Sequence, residues 1–76
     1  MDKSNYSEEQ CGAYIGKLCH DMNNKKHMFM VYDMYWKINH KGGMSLAYKY
    51  ISLPTGRLGE SPVSHFHGDT AFVRWL

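Results

Sequence analysis

Met28-Phe29-Met30-Val31-Tyr32-Asp33-Met34-Tyr35-Trp36-Lys37-Ile38-Asn39 is the stretch on which the fold turns. Read with a period of two, it places Met28, Met30, Tyr32, Met34, Trp36 and Ile38 on one side and Phe29, Val31, Asp33, Tyr35, Lys37 and Asn39 on the other. Successive side chains of a strand point to opposite faces. The unbroken apolar set therefore predicts the floor of a core, and the mixed set predicts a face that is wet or bound to a partner. The alternation and the β-favouring aromatics outweigh a helical reading of the same residues.

Working outward, Asn39-His40-Lys41-Gly42-Gly43 reads as a turn whose glycines supply positive φ. Residues 44–53 then return antiparallel, with Met44, Leu46, Tyr48 and Tyr50 on one face and Ala47, Ile51 and Leu53 on the other. A short helix over residues 46–52, capped by Ser45 and ended by Pro54, competes with that strand. On the other side, Ser7-Glu8-Glu9-Gln10 matches a capping box, and Cys11, Tyr14, Ile15, Leu18, Cys19 and Met22 recur at intervals of three and four. Together they predict an amphipathic helix from Ser7 to about Asn23-Asn24. Gly12 and Gly16 weaken it by up to about 1 kcal/mol each. Four apart, they either let the helix lie close to another backbone or face solvent. Residues 1–6 read as a loose polar terminus, residues 54–62 as a loop, and residues 63–67 and 71–76 as a terminal hairpin through Gly68-Asp69-Thr70. The expected architecture is one α+β domain over residues 1–76, an N-terminal amphipathic helix packed on one face of a three- or four-stranded antiparallel sheet.

A chain of 76 residues with 43% hydrophobic and 14% aromatic content folds around a small core. It buries only about 60–65% of the surface its unfolded form exposes, which leaves no room for the large clefts of most enzymes. A non-catalytic protein without cofactors is expected. Cys11 and Cys19, two turns apart on one helix, would be separated by roughly 12 Å along its axis, beyond the reach of a disulfide. Free thiols fit a reducing cytoplasm. No stretch approaches the roughly 20 apolar residues of a membrane span, and the N-terminus is too polar for a signal peptide. The expected location is cytoplasmic, in the host-cell cytoplasm for a phage-encoded chain.

His65-Phe66-His67-Gly68-Asp69 carries the one pattern with catalytic chemistry. Two histidines two apart on a strand share a direction, and Asp69 adds an oxygen, so His65, His67 and Asp69 resemble the opening of the metal site of metallo-β-lactamase-type hydrolases. Thr70 stands where those enzymes carry another histidine, and this chain is less than half their length. Metal hydrolysis is thus a remote alternative, and turn chemistry explains the same residues. Cys11, Cys19 and His20 lack zinc-knuckle spacing and read as core. No nucleophile motif or phosphate-binding loop is present.

Two binding readings remain. In the first, the chain is an inhibitor or adaptor acting by protein contact on a larger enzyme or ribonucleoprotein machine, in the size class of phage and mobile-element anti-defence proteins. Its surface would comprise Phe29, Val31, Tyr35 and Lys37 of the mixed face with His40, Lys41 and Arg57. A lone helix covers only one face of a sheet, so the other meets solvent, a partner or a second copy in a homodimer. In the second, nucleic acid binds a surface on which tyrosines stack bases and lysines neutralise phosphates. The formal net charge of +2 permits that without requiring it.

Overall fold

In the computed structural model, which describes residues 7–53 and 55–76, a short α1 (Glu8–Gly12) is followed by five strands. These are β1 (Leu18–Asp21), β2 (Asn24–Ile38), β3 (Met44–Ser52), β4 (Leu58–Pro62) and β5 (Val73–Trp75), with 3-10 turns at Val63–His65 and Gly68–Thr70. All neighbouring strands are antiparallel and the sheet order is β4-β3-β2-β1-β5. The protein is mostly β. The expected α+β fold with a substantial amphipathic helix is therefore corrected.

The capping serine works as read: Ser7 Oγ accepts from the Gln10 amide at 3.1 Å. The helix stops after five residues, however, in a turn closed by Tyr14 N–H to Cys11 O, Ile15 N–H to Gly12 O and Lys17 N–H to Tyr14 O. Gly16, at φ 91°, makes the exit that a side-chain-bearing residue would adopt only with strain. The two glycines cost the helix its second half, and the sheet takes the residues that follow. Cys19 lies between Phe29 and Trp75 in the cross-strand register, so the apolar stripe is shared between two elements. Cys11 and Cys19 are both buried and free, while Ile15 and Met22 of the same stripe are exposed. Burial pushes the Cys19 thiol up to about 11, which keeps it protonated. Residues 1–6 and Pro54 lie outside the described residues, so the loose terminus and the proline stop lie there too.

β2 forms as read and extends to Asn24, but its faces exchange midway. Val31 opposes Tyr50, Asp33 opposes Lys49 and Met34 opposes Tyr48, so Tyr32 is an extra residue in a β-bulge. An odd-numbered set, Phe29 and Val31, points into the core before the bulge. Even-numbered Met34 takes over after it. The even face is therefore not a continuous core floor: Val31 is fully buried, whereas Tyr32, Trp36 and Ile38 are exposed. β3 keeps strict alternation, with Leu46, Tyr48 and Tyr50 on the core side.

Residues 54–62 are not all loop, and residues 63–67 are not a strand. Glycine and proline disguised β4 as a loop, yet Gly59 is where the Tyr50 ring lies against the strand. A Cβ there would sit 2.7 Å from the ring. From Pro62 at one edge, residues 63–72 cross the inner face of the sheet to β5 at the other. This strap buries Val63 and Phe66, and Phe66 stacks edge-on to Tyr48 at 5.2 Å. Trp75 Nε1 donates to the Phe66 carbonyl at 2.8 Å. Among the described residues, no helix is long and apolar enough to cross a membrane.

Tyr48 is the largest fully buried side chain. Its hydroxyl donates to the Cys11 carbonyl at 2.9 Å and also lies 2.8 Å from His67 Nε2. The carbonyl has no proton to give, so the Tyr48 proton is committed to it and His67 Nε2 must donate. Burial pushes the Tyr48 phenol up and the His67 imidazole down from its usual 6.5. The unfolded chain then binds a proton that the folded chain resists. The stability that depends on neutral His67 is complete above about pH 6.5 and falls as the pH drops through the lowered folded value. Urea midpoints measured on either side of that window should fall with pH for the wild type. They should fall less for His67→Gln, whose amide still donates to Tyr48. Equal slopes for the two proteins would show that His67 does not carry the effect.

Candidate interface on the outer sheet face

Short α1 and the strap cover one face of the sheet, and no described element covers the other. Register alone sets what this outer face presents. Leu18 opposes Met30, Met30 opposes Ile51 and Ile51 opposes Leu58, and Leu76 N–H bonds the Leu18 carbonyl at 3.1 Å. An apolar row Leu76-Leu18-Met30-Ile51-Leu58 therefore runs across all five strands. Its middle is half-buried by its own neighbours, while Leu58 and Leu76 at its ends are 69% and 72% exposed. On one side lies Arg74-His20-Met28; on the other, Tyr32 and Asp33 are followed by Lys49 and Glu60.

The polar side is organised around Glu60. Tyr35 Oη donates to Glu60 Oε2 at 2.6 Å, and Lys37 Nζ donates to the same oxygen at 3.0 Å. Lys49 Nζ sits 5.0 Å above the Tyr35 ring centroid. These bonds hold the Glu60 carboxyl below the usual carboxylate range, through Tyr35 first and Lys37 second. The bond to Glu60 raises both the Tyr35 phenol and the Lys37 ammonium. All three groups are solvent-exposed, so the network fixes orientation more than it stabilises the fold.

The seven residues expected to form one surface fall in four places. Val31 is in the core. Phe29 packs against that core and, with Arg57, lines a groove of about 430 Å³ shared with His27, Tyr50, Ser52, Thr55 and Leu58. In that groove His27 Nε2 and Ser52 Oγ are 3.0 Å apart. Tyr35 and Lys37 remain together on the outer face. His40 and Lys41 occupy the β2–β3 turn, where Asn39 Oδ1 accepts from the Lys41 and Gly43 amides at 2.9 and 3.1 Å. Sequence reasoning missed Leu18, Met30, Ile51, Leu58 and Leu76, which lie in five separate segments. No local periodicity joins them.

The His65, His67 and Asp69 grouping does not assemble. His65 packs edge-on to Phe72 at 4.9 Å, whereas His67 stacks on Trp75 at 5.4 Å and meets Tyr48, because Val63–His65 form a 3-10 turn and no strand runs through residues 63–67. Among the described residues, no three His, Cys, Asp or Glu side chains converge as metal ligands would. Compared with protein-family models, with curated proteins and with solved structures, the chain matches none.

Proposed function

We propose that the chain is a non-catalytic binding protein, an inhibitor or adaptor, that docks on a larger protein through its outer sheet face. The observation that carries this reading is the apolar row from Leu76 to Leu58, exposed at both ends and bordered by an ordered polar network. Apolar centres with polar rims are what protein interfaces present, and methionines such as Met28 and Met30 adapt to a partner's relief. Charge on the face is mixed, with Lys37, Lys49 and Arg74 against Asp33 and Glu60. The Tyr35 ring and hydroxyl are already engaged. Mixed charge and an occupied tyrosine favour protein over nucleic acid as the partner.

The test is a pulldown from nuclease-treated native-host extract with wild-type protein and with the double variant Leu58→Glu, Leu76→Glu. A specific protein should be retained by the wild type and reduced at least about tenfold by the variant. Both substitutions are at exposed positions, so the melting temperature should change little. Undiminished capture by the folded variant would move the interface elsewhere. Recovery that depends on intact nucleic acid would favour the nucleic-acid reading.

A further inference from the structure

One edge of β2 is only partly used. β1 pairs it as far as Met30, and the chain before β1 adds Gly16 N–H to Val31 O at 2.6 Å and Val31 N–H to Lys17 O at 3.3 Å. Over residues 33–38 no strand among the described residues pairs with that edge, although β3 pairs the other edge throughout. Backbone alternation decides which groups are open. Asn39 N–H bonds the Gly43 carbonyl on the β3 side, so Tyr35 and Lys37 bond to β3 as well. The N–H and C=O groups of Met34, Trp36 and Ile38 therefore point outward; the Met34 N–H is met by Asp33 Oδ1 at 2.8 Å, and the other five groups have no strand partner among the described residues.

The outermost strands are guarded more fully than this edge, where Asp33 covers one N–H at the end of the run. β4 ends in Pro62, which has no N–H, and carries the charge of Glu60; β5 is only three residues long. Short strands, prolines and charges are the usual protections against edge pairing. The open run of β2 has no proline, and its Lys37 leans across β3 to Glu60. Its core-side residues Trp36 and Ile38 are 43% and 69% exposed, beside the exposed Met44.

We infer that a second copy of this chain pairs with this edge, β2 antiparallel to β2 about a two-fold axis at Trp36. An antiparallel edge is its own complement, since each outward N–H meets a C=O of the same set, with the Met34 N–H exchanging Asp33 Oδ1 for the Ile38 carbonyl of the second copy. In this register Trp36 lies opposite Trp36 of the second copy and Met34 opposite its Ile38. The exposed apolar groups thereby close against one another. On the outer face, Lys37 falls opposite Tyr35 of the second copy and diagonal to its Asp33, an attractive arrangement. A register centred one residue later would set two lysines opposite each other. Pairing joins two five-stranded sheets and aligns their outer faces as one continuous surface, independently of what those faces bind.

Light scattering on size-separated full-length protein, over a range of concentrations, tests the inference. The mass should be twice that of one chain at high concentration and should fall on dilution. Trp36→Pro removes an outward N–H without removing a β3 bond, and Ile38→Lys places a charge in the apolar strip. Each folded variant should have the mass of a single chain where the wild type is a dimer. Leu58→Glu with Leu76→Glu should leave the dimer intact, which separates this edge from the outer face. A wild type with single-chain mass at every concentration would overturn the inference and leave the edge to a strand of another protein. A dimer that persists in folded Ile38→Lys would also overturn it, whether or not the proline variant folds.

Discussion

Tyr48→Ala is expected to leave the chain largely unfolded at physiological temperature. Truncating a buried aromatic to alanine costs about 3–5 kcal/mol. A domain of this size has only about 4–11 kcal/mol of total stability at roughly 0.05–0.15 kcal/mol per residue. The ring is the junction of the fold, edge-on to Phe66 at 5.2 Å and Trp75 at 6.3 Å, and its hydroxyl ties the turn after α1 to the strap. Tyr48→Phe keeps the packing but removes the hydroxyl's bonds to the Cys11 carbonyl and to His67 Nε2, at a cost of about 1–3 kcal/mol. Urea unfolding followed by tryptophan fluorescence should rank the proteins wild type, phenylalanine, alanine. An alanine variant within about 1 kcal/mol of the wild type would show that Tyr48 is not the junction described here.

The second large effect separates two neighbours. Val31→Asp places a carboxylate among Cys19, Tyr48 and Phe66 in the core cluster, with no cation among the core residues to pair with it. Burying an unpaired charge costs several kcal/mol even after relaxation, enough to abolish folding. Tyr32→Asp, one residue away in the bulge, changes an exposed position and should cost within about 0.5 kcal/mol. Uninterrupted alternation predicts the reverse ranking, so circular dichroism of these two variants decides which phase β2 has in solution.

That contrast also marks where the sequence stops being legible. β2, β3 and the Asn39–Gly43 turn follow from alternation and glycine placement, and the Ser7 cap follows from its box. The bulge does not, because an extra residue leaves composition unchanged and shows only in the pairing with Lys49. The long helix failed for a different reason. Only part of its stripe is core: Cys11 and Cys19 are buried, but Ile15 and Met22 are exposed and Leu18 lies on the outer face, because pairing with β2 on Leu18–Asp21 outweighed intrinsic helix preference already weakened by two glycines. For the candidate site, Tyr35 and Lys37 were visible on a mixed face. The apolar row beside them was not, because it exists only once five strands are in register.

The strap has a consequence for the order in which the sheet can assemble. Ile38 and Met44 pair across 6 positions of chain, from 44 − 38, whereas Cys19 and Trp75 pair across 56, from 75 − 19. Closing the longer loop costs about 2 kcal/mol more in chain entropy on the logarithmic scale of loop length. The β2–β3 hairpin can close on local contacts alone. β5 brings Trp75 against Tyr48 and the strap's Phe66, so the strand that completes the sheet leans on a side chain of a strand three places away.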